Sequence, residues 1–190
     1  MKVSREQAAV NRERILEAGT RLFRERGFDG IGVADLMQEA GLTHGGFYGH
    51  FASKEDLMAK SCERALAKSA AKWESLVARD GRQALAAMTD SYLSTRHRDH
   101  PGAGCLVAAL GVEAGRHGPD VRRAFTDGVK SLVAVLASAI PGRARAARRR
   151  QALATFAGMV GAIVLARAVD DAELSTEILK AVRGSIAEVN

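Results

Sequence analysis

The sequence predicts an all-α protein, and three observations carry that reading. Proline occurs only three times in 190 residues, so little interrupts helix propagation. Ala, Leu, Arg and Glu are abundant, whereas alternating β-branched runs are few. Apolar residues recur at spacings of three and four over most of the chain. The length allows one large or two small domains with a real core. The architecture expected is a three-helix helix-turn-helix domain over residues 1–54, joined by a long helix to a larger helical domain over residues 55–190.

Each element follows from a local pattern. Ile15, Leu16, Gly19, Leu22 and Phe23 form one inward stripe of a first helix. Gly27 is expected to end it in a left-handed conformation, with Phe28 folding back onto the stripe. A short second helix over residues 33–40 has Gly32 as its cap. The chain turns at Gly41-Leu42, and Thr43 is expected to cap a third helix through its hydroxyl, ending near Phe51. Two helices joined by a tight glycine turn make a helix-turn-helix pattern. Ser53 with Asp56 approximates a capping box for a fourth helix running through Leu57, Leu66, Trp73 and Leu76 to about Arg79. Further helices are expected over residues 82–98, 104–116, 120–140, 148–169 and 173–189. Pro101, Pro119 and Pro141 mark three of the breaks.

Composition narrows the class. Cys62 and Cys105 are the only cysteines and lie in no CxxC or Cys/His cluster, so neither a disulfide scaffold nor a metal site is expected. That pattern fits a reducing, cytoplasmic compartment. The segment MKVSREQAAVNRER is charged, which argues against a secretory leader or an anchor. The apolar stretch over residues 152–166 reads as a buried helix, too short to span a bilayer comfortably, and no membrane partner is expected. The net charge of +6 suits a nucleic-acid binder. Residues 1–54, however, carry eight Lys/Arg against seven Asp/Glu, so charge alone does not locate the DNA surface. No paired carboxylates, nucleophile-base arrangement or metal spacing supports catalysis, and no cofactor is expected.

The informative segment is AGLTHGGFYGHFASKEDL, residues 40–57. Phe47 and Phe51 are four apart and should face inward, leaving the Tyr48 hydroxyl free to reach a phosphate. Lys54 sits at a helix start, where its ammonium and free backbone amides together suit a phosphate. With Gly41, Thr43, Phe47, Tyr48, His50, Phe51, Ser53, Lys54 and Leu57 in order and spacing, the segment resembles the signature of the TetR family of bacterial transcription regulators. The resemblance implies DNA contacts from Thr43, His44, Gly45, Gly46, Tyr48, His50 and Lys54. His44, Gly46, Gly49 and Gly32 depart from the common residues of that signature and leave few long side chains to read bases.

The resemblance also implies a ligand-binding and dimerising second domain. A pocket is expected near Trp73, Met88, Tyr92, Cys105 and Phe125, for a small-molecule effector that the sequence does not identify. Dimerisation through the last two helices is expected from Leu153, Phe156, Val160, Ile163 and Val164 together with Leu174, Ile178 and Val182, with Gly158, Gly161 and Ala162 allowing close approach. The implied protein is a homodimer on a pseudo-palindromic, double-stranded operator, most simply a repressor released by its effector. An architectural DNA-binding protein, or a helical ligand-binding protein without DNA, are the alternatives.

Two features have more than one reading. Cys105 lies just inside an expected helix start, where amides and the helix dipole favour a thiolate; it is either a sensor of oxidants or electrophiles or a small packing residue. Arg143, Arg145, Arg148, Arg149 and Arg150 form either a second nucleic-acid patch or a solvated helix start, and no aromatic residues interleave to stack on bases.

Overall fold

The computed structural model describes residues 4–142 and 144–188, so Arg143 and the end of the last expected helix at Val189 lie outside the described residues. Among those described there are nine α-helices and no strand. They are α1 (Arg5–Arg26), α2 (Val33–Glu39), α3 (Lys54–Asp80), α4 (Ala84–Tyr92), α5 (Thr95–Asp99), α6 (Leu106–Ala114), α7 (Pro119–Ala139), α8 (Arg145–Ala168) and α9 (Ala172–Glu188). Short 3-10 segments occupy His44–Gly49, Gly81–Gln83 and Pro101–Ala103.

α1 begins where the Ser4 hydroxyl accepts from the Gln7 amide at 3.1 Å. It ends at Gly27, whose φ of 78° no side-chain-bearing residue adopts readily. Phe28 returns edge-on against Phe23, with ring centroids 5.4 Å apart. α2 is capped by the Gly32 amide donating to Asp35 Oδ2 at 3.1 Å. Gly41, at φ 70°, then reverses the chain so that the Leu42 amide reaches the Met37 carbonyl at 2.8 Å.

The third helix differs from expectation: residues His44–Gly49 form a 3-10 segment, not an α-helix. Gly45, Gly46 and Gly49 supply half of its six residues, and glycine is the weakest helix former apart from proline. The Thr43 hydroxyl makes no cap bond; the tighter turn is closed by the Gly46 amide on the Thr43 carbonyl, at 3.0 Å.

α3 is the spine shared by both halves. Ser53 Oγ accepts from the Asp56 amide at 3.0 Å, while Asp56 accepts from the Ala52 amide at 3.1 Å, one residue before the cap itself. Burial opposes ionisation of Asp56, but its bonds to Lys60 and Ala52 and the charges of Lys60 and Arg12 hold its carboxyl below the ordinary value. Leu57 packs under α1 at Gly19, and Leu66 packs so closely on Gly128 of α7 that a Cβ there has no room. One continuous core results, running from Ile15 and Phe47 through Leu66 and Met88 to Ile163.

Other boundaries moved for physical reasons. The helix expected over 82–98 breaks at Leu93, where ψ is 50°, and restarts as α5 with the Ser94 hydroxyl accepting from the His97 amide at 3.2 Å. α6 starts at Leu106, so Cys105 is its cap residue, not a residue inside the helix, and its thiol makes no capping bond. α8 extends over 24 residues because its Arg-rich first turns are helical as well. By length and composition that helix would suffice to cross a membrane, yet Ala152, Phe156, Met159, Ala162 and Ile163 are buried in the core it shares with α7 and α9.

Candidate functional site

The exposed surface of the 3-10 segment follows from its buried one. Phe47 and Phe51 are buried and stack with centroids 5.8 Å apart, which turns Tyr48 outward at 68% exposure. Thr43, His44 and Gly45 are exposed, Gly46 and His50 half-buried, and Lys54 is the half-buried first residue of α3 and makes no ion pair among the described residues. Thr43 and Tyr48 are therefore both exposed on the segment that leads into the start of α3. Arg12 of α1, which sequence reading missed, places its guanidinium 4.9 Å from the Phe51 ring centroid. No local pattern marks it, because the contact joins residues 39 positions apart.

Neither backbone strain nor packing requires glycine at positions 45 and 49. Neither has a positive φ, and a Cβ at either would meet nothing within 4 Å.

In the second half, a cavity of about 260 Å³ lies between α3, α4, α5 and the loop leading into α6. Trp73, Tyr92 and Cys105 line it, as do Lys72, His97 and Leu132. Met88 and Phe125 do not: Met88 is fully covered in the core, and Phe125 is buried on α7. Trp73 and Tyr92 sit with ring centroids 6.2 Å apart, and Tyr92 meets the His97 ring edge-on at 4.5 Å. Burial pushes the Tyr92 phenol well above its ordinary range, helped by the adjacent Cys105. The Tyr92 hydroxyl lies beside the Cys105 sulfur without reaching hydrogen-bond geometry.

His97 organises the wall. Its Nδ1 donates to the Tyr92 carbonyl at 2.7 Å, and its Nε2 accepts from the Cys105 amide at 2.8 Å, a pairing that fits only the neutral ring. Burial is the main reason its pKa is lowered; the bond to the Tyr92 carbonyl opposes the shift, and the charges of Arg167 and Lys72 reinforce it.

The segment from Ser94 to Cys105 is tied to both ends of the molecule. Arg24 of α1 donates to the Gly104 carbonyl at 2.9 Å. Arg167 of α8 donates to the His97 and Arg98 carbonyls at 2.7 and 3.0 Å, and Arg98 donates to Ser175 Oγ of α9 at 3.0 Å. Nearby, Glu113 of α6 accepts from the Phe28 amide at 2.6 Å, and Glu55 of α3 accepts from the Gly118 amide at 2.7 Å.

The expected dimer seam divides in two. Phe156 and Ile163 are covered within the chain, Ile163 completely, so neither presents an outward face. Leu153, Val164 and Leu174 are exposed, as is Leu165, and Val160, Ile178 and Val182 are half-buried. Gly158 faces α9, where a Cβ would contact Val182 at 3.7 Å, whereas a Cβ at Gly161 would meet nothing.

Comparison with known proteins agrees with this geometry. Residues 15–60 match the family model "Bacterial regulatory proteins, tetR family", and residues 81–182 match "Tetracyclin repressor-like, C-terminal domain". The chain is 30% identical over 132 residues to the HTH-type transcriptional repressor NemR of Escherichia coli, covering 68% of this chain and 66% of NemR, just under two thirds of that relative's length. It is 46% identical over 44 residues to the HTH-type transcriptional repressor DhaR of a Mycobacterium species, covering 23% of this chain and 22% of DhaR. The reduced form of E. coli NemR superposes with a TM-score of 0.79 at 25% identity, covering 94% of this chain and 95% of that one. A TetR regulator from Legionella pneumophila shares the fold with a TM-score of 0.80 at 18% identity, covering 100% and 99%. With family models matched over both halves, the chain belongs to the TetR family of bacterial regulatory proteins.

Proposed function

We propose that this protein is a homodimeric transcriptional repressor that leaves its operator when a small molecule occupies the cavity beside Trp73, Tyr92 and Cys105. The observation that carries the reading is the double anchorage of residues 94–105: Arg24 holds this cavity wall to the DNA-binding unit, and Arg167 and Arg98 hold it to α8 and α9. A ligand that displaces the wall alters both attachments at once, so it has differential affinity for the DNA-spaced and released arrangements. Two copies pairing through the outward residues of α8 and α9 place two 3-10 segments in successive major grooves, about 34–36 Å apart or at a variant of that spacing.

The DNA contacts assigned are phosphate contacts from Tyr48, Lys54 and Thr43, with His44, Gly45, Gly46 and His50 closest to the groove. Mapping occupied sites across the genome tests the regulatory reading. Occupancy of a few discrete, two-fold symmetric sites is the expected outcome; dispersed occupancy indicates an architectural protein, and none indicates a binding protein without DNA.

A thiol-based signal is a second reading, favoured by what surrounds Cys105. Arg24 and Arg167 both reach the adjoining Gly104, and the Tyr92 hydroxyl adjoins the Cys105 sulfur. Cys62 lies in the middle of α3, where burial pushes its thiol up to about 12. Alkylation of single Cys→Ser variants alongside operator binding decides this. The thiol reading requires modification and DNA release to depend on Cys105 alone.

A further inference from the structure

The cavity is lined by one sign of charge. Lys72, Arg96, His97 and His100 contribute to its wall, and no Asp or Glu does. Both ring nitrogens of His97 are already engaged inside the protein, so it supplies structure and no charge. Lys72 and Arg96 are exposed and make no ion pair among the described residues, so both are free to turn a cation toward this partly enclosed space.

The approach to the cavity repeats the bias. A cleft between α1 and α3 shares Ser69, Lys72, Ala103 and Gly104 with the cavity. Of its cations, Arg21 pairs with Glu25 and Glu39 and Arg64 pairs with Glu13, which leaves Arg14, Arg24 and Lys68 beside Glu17. Deeper in, Trp73 and Leu132 give an apolar wall, and the buried Tyr92 hydroxyl has no acceptor at bonding geometry.

We propose that the cavity selects a small organic anion, a planar carboxylate whose charge is met by Lys72 with Arg96 and whose apolar body lies against Trp73 and Leu132. A cationic ligand finds no carboxylate to pair with and is repelled. A neutral one gains nothing from the two free cations. The volume of about 260 Å³ lies below the range of about 300–1,000 Å³ that holds drug-sized molecules, so the acid is a compact one. This inference rests on the cavity being the effector site, and the experiment separates the two claims.

Trp73 is the only tryptophan in the chain and lines the cavity, so its fluorescence reports occupancy directly. Benzoate, benzamide and benzylamine present one ring with three charges and are titrated into the full-length protein. Benzoate should bind saturably, about tenfold or more tighter than benzamide, with benzylamine weakest. Lys72→Met should remove about tenfold of benzoate affinity and leave benzamide unchanged, and Lys72→Arg should restore it. Equal affinity for benzoate and benzamide, a preference for benzylamine, no saturable change with any of the three at millimolar concentration, or an unaltered Lys72→Met titration overturns the proposal. Operator retention is measured in the same samples. Benzoate binding without DNA release would leave the anion site standing and remove the effector reading; release by neutral compounds alone would do the reverse.

Discussion

Arg24 Nη1 donates to the carbonyl oxygen of Gly104 at 2.9 Å, so the last turns of α1 hold the loop that lines the cavity beside Trp73. The Arg24 side chain is half-buried where it makes this bond, and burial lowers its pKa against the opposing charge of Glu25. If the proposed function holds, this bond couples the cavity to the helix-turn-helix, and the coupling is measurable.

Arg24→Met keeps the packing stem and removes the donor. It should cost about 1 kcal/mol of stability. Operator affinity without effector should change little, while the loss of affinity caused by effector should shrink by about fivefold or more. Gel-shift titrations with and without effector check this, and an undiminished response would place the coupling elsewhere, for instance at the Glu113–Phe28 bond.

Gly45→Ala and Gly49→Ala should each stabilise the free protein by roughly 0.4–1 kcal/mol, because both positions have ordinary φ and open space. Both should weaken operator binding, since the missing Cβ is what lets this backbone approach DNA. Thermal unfolding and binding isotherms on the same preparations give both signs. Tighter binding in the stabilised variants would show that these glycines serve no close approach.

Leu153→Asp and Val164→Asp place a charge on the outward stripe of α8 and should convert dimer to monomer with the protomer still folded. Ile163→Asp, fully buried, should unfold the protomer instead, by about 3–5 kcal/mol. Sedimentation distinguishes the two, and a persistent dimer in both exposed variants would move the interface away from α8.

What the sequence made legible was whatever depends on neighbours within a few residues. Phe47 and Phe51, four apart, were expected inward and are buried; Gly41 was expected to turn the chain and does, at φ 70°. The break at Leu93 carries no glycine or proline to announce it. Nor does helical spacing say which side of a double-sided apolar helix is core: on α8, Phe156 and Ile163 face inward while Leu153 and Val164 face out. The cavity was half legible, since Trp73, Tyr92 and Cys105 meet there but Met88 and Phe125 do not. Its wall is fastened by Arg24 to Gly104, 80 positions apart, and by Arg167 to His97, 70 positions apart, pairs with no signature in a single chain.

His97 makes the cavity wall sensitive to acid. Its pKa lies below the ordinary 6.5 in the folded protein, so between the two values the unfolded chain binds more protons and stability rises with pH. The contribution is complete above 6.5 and is lost as pH falls through the depressed folded value. Denaturant midpoints measured from pH 7.5 down to about 5 should therefore fall more steeply for the wild type than for His97→Gln. Parallel curves would show that His97 titrates normally.

The reading of the 3-10 segment as the DNA-binding surface is tested most directly by operator affinity as a function of salt. The DNA is the fragment upstream of the protein's own gene, and the proteins are wild type, Tyr48→Phe and Lys54→Ala. Wild-type affinity should fall log-linearly with salt, and Lys54→Ala should bind all sequences more weakly with the slope reduced by about 0.9, the loss of one phosphate contact. Tyr48→Phe should weaken binding without changing the slope, because a neutral donor releases no counterion. Unchanged affinity in both variants, with an unchanged slope for Lys54→Ala, would contradict the assignment of this surface to DNA.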